Sequence, residues 1–250
     1  MYVSSATKHI PMARKALRIC ATRQIDKAMK KRAYSIIITV VLACIAMGVV
    51  DAVIQPGYAA KSLVKILLFL LIPFGYLFFD KSCRLNALLK PDKKGITIAV
   101  LAGCLVFGVV LGAYFLFKDV FDFSALTKSL TQTTGVNARN FIWVAIYISF
   151  VNSLLEEFFF RGFAFLTLKR FSSRSFAYVF SALCFAVYHI AMMIGWFGLP
   201  VILISLAGLF AGGIIFNAFD EKYGNIYISW LVHMFANFAT NAIGFILFAQ

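Results

Sequence analysis

Residues 141–162 read FIWVAIYISFVNSLLEEFFFRG, an apolar run that carries the adjacent glutamates Glu156 and Glu157. The run is long enough to cross a bilayer, for which an α-helix needs about 20 apolar residues. A carboxylate at bilayer depth costs about 2.5–3.5 kcal/mol even on lenient insertion scales, so charges inside such helices usually mark a functional site. The chain has three glutamates, and two of them lie here. The pair is therefore the first candidate for a functional site.

The composition of the whole chain is typical of a membrane protein. Of its 250 residues 62% are hydrophobic and 14% are charged, and the mean hydropathy is +0.89. Soluble domains average about 25% charged residues. Apolar segments long enough to form membrane helices are predicted at 34–54, 62–79, 96–117, 140–168, 175–194, 198–217 and 226–248. We therefore predict an all-α fold, a polytopic transmembrane helix bundle of about seven to eight helices embedded in a lipid bilayer.

The charge distribution predicts how the chain lies in the membrane. The net charge is +14, and the basic residues cluster between the apolar segments. This is typical of membrane topology and anionic headgroups, and no nucleic-acid partner is expected. With the N-terminus in the cytoplasm, 19 of the 24 basic residues fall on the cytoplasmic side, and Lys61 and Lys65 count among the five outside. We predict a multi-pass cell-membrane protein with a cytoplasmic N-terminus.

Two parts of the chain are distinguished by composition. Residues 1–33 are polar and basic and form a predicted cytoplasmic segment, and residues 34–250 form a predicted transmembrane helical domain. The functional core is placed at about 140–245. The polar loop 118–139 is expected to carry a short amphipathic piece. Small-residue spacings at Gly108-xxx-Gly112 and Gly208-xxx-Gly212 predict close helix packing.

The first polar pattern comprises the two glutamates and Arg161. Glu157 precedes Arg161 by four residues, so the two side chains share a helix face and are expected to pair. Glu156 points about 100° away from Glu157 on an α-helix. We therefore expect Glu157 to be held by the arginine and Glu156 to be available for another partner.

Two further patterns place histidines in apolar helices. Phe185 precedes His189 by four residues, and His233 and Asn237 share a helix face at the same spacing. Taken alone, each pattern is also explained by hydrogen bonds between helices. At 1.5 Å per residue, Glu156, His189 and His233 lie about 18, 22 and 12 Å from the cytoplasmic ends of their helices. They are therefore expected to meet.

A carboxylate and two imidazoles that meet inside a membrane have the chemistry to hydrolyse a peptide bond. Glu156 and His189 are expected to orient and deprotonate a water. His233 and Asn237 are expected to donate hydrogen bonds to the oxyanion of the tetrahedral intermediate. Alternatively, Glu156, His189 and His233 could hold a divalent metal ion such as zinc, with its bound water as nucleophile. The sequence leaves both open, and no cofactor is certain.

The ordered set of patterns resembles the CPBP family of intramembrane proteases, which includes CAAX proteases and bacteriocin-processing enzymes and is also called Abi. Its pattern of EExxxR, then FxxxH, then HxxxN or HxxxD is matched over roughly 140–245 by Glu156, Glu157 and Arg161, by Phe185 and His189, and by His233 and Asn237.

This resemblance implies a peptidase of the metallo- or glutamate type. Its substrate would be a peptide or protein, prenylated or otherwise anchored in the membrane. Prokaryotic members of the family are linked to bacteriocin self-immunity and peptide maturation. Glu156, His189, His233 and Asn237 would then be catalytic, with Glu157, Arg161 and Phe185 in support.

Two other functions are compatible with charges inside a membrane bundle. A non-enzymatic immunity or scaffold protein would bind a peptide or partner and would tolerate loss of Glu156. A transporter or proton relay would use the same residue types for ion flux. The chain has no obvious inverted repeat, which argues against the transporter.

Overall fold

The computed structural model describes residues 9–80, 88, 90, 93–120, 123–194 and 196–249, and over these residues it is helical with no strand. The helices in chain order are α1 (Thr22–Ile54, helical from His9), α2 (Tyr58–Phe79), α3 (Lys94–Phe117), α4 (Ser124–Thr134), α5 (Phe141–Arg170), α6 (Arg174–Met193), α7 (Leu199–Tyr223) and α8 (Tyr227–Phe248). All but α4 are long and apolar enough to cross a membrane. The predicted polytopic helical bundle is thereby confirmed.

Two details refine the predicted segments. The α-helical part of α1 begins at His9 and ends at Val49, so it continues across residue 33 without a break. Residues 9–33 of the basic segment and the first membrane span therefore form one helix. The loop 118–139 contains helix α4, as predicted.

Helix α5 is the centre of the bundle, because its aromatic side chains pack against helices α2, α6 and α8. Phe159 stacks on Phe69 of α2 with ring centroids 4.1 Å apart. Phe160 meets Phe185 of α6 edge to face at 5.3 Å. Such offset and edge-to-face contacts add to the dispersion energy of a lipid-embedded core, in which no hydrophobic effect drives helices together. Residues Glu157 to Phe165 are all buried.

The hydrogen-bond ladder of α5 is widened on both sides of Glu156. Residues Tyr147–Asn152 and Glu157–Thr167 are π-helical. Thr167 Oγ1 also donates to the carbonyl of Gly162, five residues earlier, at 2.8 Å. π-Helical turns are rare and occur frequently at functional sites.

The two small-residue spacings do not mark close helix contacts. A Cβ built on any of their four glycines would have no neighbour within 4 Å among the described residues: Gly108, Gly112, Gly208 and Gly212. That prediction is wrong for this part of the chain. The close approach occurs instead at Gly213 of α7, where an added Cβ would lie 2.9 Å from Ala182 Cβ of α6.

Helix α8 begins deep in the bundle rather than at its edge. Helix α7 ends at Tyr223 and is followed by Gly224, whose φ of +68° is the left-handed conformation that glycine adopts without strain. The carboxylate of Asp220 then accepts bonds from Ser229 N at 3.3 Å and Ser229 Oγ at 2.7 Å. Ile226 is fully buried and packs beside Gly162 of α5. The first turn of α8 therefore lies level with Gly162, about 9 Å from Glu156 along α5.

Candidate active site

Glu156 is the point at which four other side chains converge. It is 2% exposed, and its two oxygens face different partners. Oε1 accepts from Lys65 Nζ at 2.5 Å and from Asn152 Nδ2 at 3.1 Å. Oε2 lies 4.0 Å from His189 Nε2 and 3.7 Å from His233 Nε2. The expectation that Glu156 meets both histidines agrees with this geometry, but the carboxylate also has a cation of its own.

Glu157 belongs to a second, adjacent charge cluster. Its Oε2 lies 3.2 Å from Arg161 Nε, so the expected ion pair is present, and both side chains are fully buried. Its Oε1 lies 2.7 Å from His233 Nδ1. The guanidinium of Arg161 is held between the rings of Phe185 at 4.1 Å and Phe216 at 4.9 Å, which are favourable cation–π contacts.

Both imidazoles are oriented through their Nδ1 atoms. Nδ1 of His189 lies 2.7 Å from the carbonyl oxygen of Phe185, which can only accept, so this nitrogen carries the hydrogen. Nδ1 of His233 is held by the carboxylate of Glu157 at 2.7 Å. The Nε2 atoms of both rings therefore face Glu156, and the contact that orients the ring comes from the same helix for His189 and from α5 for His233.

The converging atoms are spaced to hold a small hydrogen-bonding molecule. Separations of 3.7 and 4.0 Å between the carboxylate of Glu156 and the two imidazoles are too long for direct hydrogen bonds. A water oxygen about 2.8 Å from Glu156 Oε2 would lie within reach of either ring. Because a neutral imidazole Nε2 and a carboxylate oxygen both accept, a water with two O–H donors satisfies them.

Asn237 lies one turn beyond His233 on α8, and its side chain is hydrogen-bonded to the main chain of α5. Its Nδ2 donates to the carbonyl oxygen of Ile148 on α5 at 3.0 Å, in the first π-helical segment. A side-chain amide has two N–H donors, so this bond leaves one for another acceptor. The bond to the main chain holds α8 against α5 beside the histidine.

The donor set does not fit a resident divalent metal ion. The described residues contain no group of three or more His, Cys, Asp or Glu side chains that could hold one. In addition, the ammonium of Lys65 lies 2.5 Å from Glu156 and already balances its charge. A divalent cation bound to Glu156, His189 and His233 would be repelled by that neighbour.

Two residues of the site, Lys65 and Asn152, lie outside the sequence patterns described above. Lys65 was counted among the outer-side cations, but its side chain is buried against Glu156 and only 5% of the residue is exposed. Its position three residues inside the predicted segment 62–79 was a usable signal, because a lysine in an apolar helix is as costly as a glutamate. Asn152 lies one turn before Glu156 and therefore on the same face.

Comparison with known proteins agrees with the geometry. Residues 138–239 match the family model of type II CAAX prenyl endopeptidases, Rce1-like. The match is consistent with a CPBP-family intramembrane protease, so the predicted resemblance is confirmed, and it supports intramembrane endopeptidase activity in general. Every residue of the ordered pattern lies inside the matched range, whereas Lys65 lies outside it. No curated protein and no solved structure matches the chain.

Proposed function

We propose that this chain, in which residues 138–239 match the Rce1-like CAAX prenyl endopeptidase family, hydrolyses peptide bonds in the membrane by a glutamate-type mechanism. The observation that supports this most directly is that the two carboxylate oxygens of Glu156 have different partners. Lys65 and Asn152 hold Oε1, while Oε2 faces the Nε2 atoms of His189 and His233. This arrangement is suited to activating a water without a metal ion.

The first chemical step uses Glu156 and His189. One O–H of the water donates to His189 Nε2, which orients the molecule, and the other proton is transferred to Glu156 Oε2. The water oxygen then forms a bond to the scissile carbonyl carbon, and the π electrons of the C=O bond move to its oxygen. Collapse of this intermediate breaks the C–N bond, and the amine leaves with the proton from Glu156.

His233 and Asn237 are proposed to stabilise the oxyanion. The proposed donor of His233 is an Nε2–H, while its Nδ1 is held by the carboxylate of Glu157 at 2.7 Å, so both ring nitrogens carry hydrogen when the oxyanion forms. The second N–H of Asn237 is the other proposed donor. Preorganised donors of this kind supply a large share of catalysis in acyl transfer. Arg161 and Phe185 support the site by holding Glu157 and His189 in place.

The proposed substrate is a peptide or protein anchored in the membrane. The family description makes a prenylated C-terminal peptide the first to test, and an unprenylated membrane-anchored peptide is the second. A role in bacteriocin processing or self-immunity would use the same site on a different peptide. With the proposed cytoplasmic N-terminus, substrates enter from the cytoplasmic side or from within the bilayer.

The test is cleavage of both peptides by the full chain in proteoliposomes, followed by mass spectrometry. Glu156→Gln and His189→Ala are each expected to lower kcat by about 10²–10⁴-fold. Glu221→Gln is the matched control, because the third glutamate pairs with Arg174 at 2.6 Å outside the site. Chelators are expected to leave the rate unchanged.

Three results would contradict the proposal. Full cleavage by Glu156→Gln would exclude the mechanism. Normal complementation by the same variant in cells would favour a non-enzymatic scaffold. Loss of activity on chelation with recovery on adding zinc would contradict the metal-free mechanism but not the peptidase activity.

A further inference from the structure

Lys65 reaches the site from α2, outside the region matched by the family model. We infer that Lys65 is a positioning residue of the peptidase: its ammonium ion holds Oε1 of Glu156 and stabilises the charged carboxylate, so that Oε2 is the oxygen that receives the proton of the water. The inference rests on the proposed function and assigns a role to a residue that the ordered sequence pattern lacks.

Three side chains form a closed hydrogen-bonded triangle. Lys65 Nζ donates to Glu156 Oε1 and to Asn152 Oδ1, both at 2.5 Å. Asn152 Nδ2 donates to the same Oε1 at 3.1 Å. Because an ammonium can only donate, the amide of Asn152 has one orientation that satisfies both contacts. The carboxylate is therefore held from one side and cannot rotate to exchange its two oxygens without breaking two hydrogen bonds.

The surroundings of the ammonium favour a close ion pair. Lys65 is 5% exposed and Glu156 is 2% exposed. The rings of Phe69 and Tyr188 lie 5.5 and 5.1 Å from Nζ. Buried charges are tolerated only when they are paired and hydrogen-bonded. In this setting, neutralising Lys65 would leave Glu156 without a cation, and burial favours the protonated form of an isolated carboxyl group. A protonated Glu156 cannot accept a proton from water.

The neighbouring lysine on the same helix has a different partner. Lys61, one turn before Lys65, pairs with Asp51 at 2.5 Å, and its side chain is 21% exposed. The two lysines are thus similar in sequence position and in having a carboxylate partner. They differ in that only the partner of Lys65, Glu156, faces the two histidines. Lys61 is therefore the matched control.

The experiment measures peptide cleavage by Lys65→Met and Lys61→Met variants of the full chain. Lys65→Met is expected to lower kcat by about 100-fold or more while KM changes by less than about threefold, because the residue acts on proton transfer rather than on substrate binding. Lys61→Met is expected to keep both parameters within about threefold of the unchanged protein. Lys65→Arg is expected to retain part of the activity because it retains the charge.

Chemical rescue separates an ammonium requirement from a packing role. Methylamine or ethylamine is expected to raise the rate of Lys65→Ala in a saturable manner, and to have no effect on Glu156→Gln. If Lys65→Met fails to fold, the double variant Lys65→Met/Glu156→Gln removes both charges of the pair. Recovery of folding in the double variant, together with amine rescue of Lys65→Ala, supports the inference.

Two outcomes overturn it. One is a Lys65→Met variant with kcat within about threefold of the unchanged protein. The other is a folded, inactive Lys65→Ala that no amine restores, alongside an inactive Lys65→Arg. Full activity in Glu156→Gln would instead refute the proposed function, whereas an inactive Glu156→Gln with an active Lys65→Met refutes only the role of Lys65.

Discussion

Glu156 and Glu157 are adjacent in sequence but belong to separate charge clusters. Glu156 pairs with Lys65, and Glu157 pairs with Arg161. His233 lies between the two, with Nδ1 towards Glu157 and Nε2 towards Glu156. Each carboxylate thus has its own cation, and one imidazole connects the two pairs. This arrangement is compatible with a proton-transfer role for one glutamate and a structural role for the other.

The two glutamates are expected to differ in their effect on stability. Glu157→Gln removes the carboxylate that pairs with the fully buried guanidinium of Arg161, and breaking a buried pair in this way costs about 3–5 kcal/mol. Glu156→Gln is expected to cost less, because Lys65 can lose its proton whereas arginine cannot. The measurement is the free energy of unfolding in mixed detergent micelles. Equal losses for the two variants would contradict this assignment.

At the scale of helices, α5 is the element around which the site is built. Helix α2 contributes Lys65, the break after Tyr188 in α6 sets the position of His189, and α8 contributes His233. Helix α3 lies further out and packs on α8, where Gly103 faces Phe235. The geometry of the site therefore depends on the distances between α5 and its neighbouring helices, and on the distances among those neighbours.

Two adjacent glycines on α7 test this dependence. A Cβ on Gly213 would lie 3.0 Å from the main-chain Cα of Ala182, which cannot move aside as a flexible side chain would. Gly213→Ala is therefore expected to lower the free energy of unfolding by about 1–3 kcal/mol. Gly212→Ala meets no atom within 4 Å and is expected to be neutral or to stabilise by up to about 1 kcal/mol. Similar stabilities for the two variants would refute the close α6–α7 contact.

At the scale of the whole molecule, the chain is a multi-pass membrane protein, and seven helices among the described residues are long and apolar enough to cross a membrane. Seven crossings would place the two ends of the described chain on opposite sides of the membrane. The excess of basic residues in alternate loops supports our proposal that the N-terminus is cytoplasmic. The orientation decides from which side a substrate would reach Glu156.

Reporter fusions test this orientation. Alkaline phosphatase folds only outside the cytoplasm. It is expected to be active when fused after residue 250 and inactive when fused at Ser172, between α5 and α6. A green fluorescent protein fused to the N-terminus is expected to fluoresce. The reverse pattern of phosphatase activity would show that the chain has the opposite orientation.

Sequence patterns alone predicted the seven apolar segments, the order of the polar patterns and the pair of Glu157 with Arg161. Hydropathy and helical spacing are local properties, and they predict length and face without knowledge of neighbouring helices. Depth was estimated less well. His233 was placed about 6 Å nearer the cytoplasm than Glu156 because both helices were assumed to end at one level. The buried start of α8 beside Gly162 removes that difference.

The approach of Lys65 to the site is visible only in the folded bundle, as is the lack of described neighbours at the four glycines of the small-residue spacings. Both facts depend on which helices are adjacent and on how they are rotated, and neither follows from spacing within one helix. A lysine 91 residues before Glu156 can be its nearest cation because the bundle brings α2 against α5. Within a bilayer, that choice of neighbour follows from packing and from the high cost of leaving a charge unpaired.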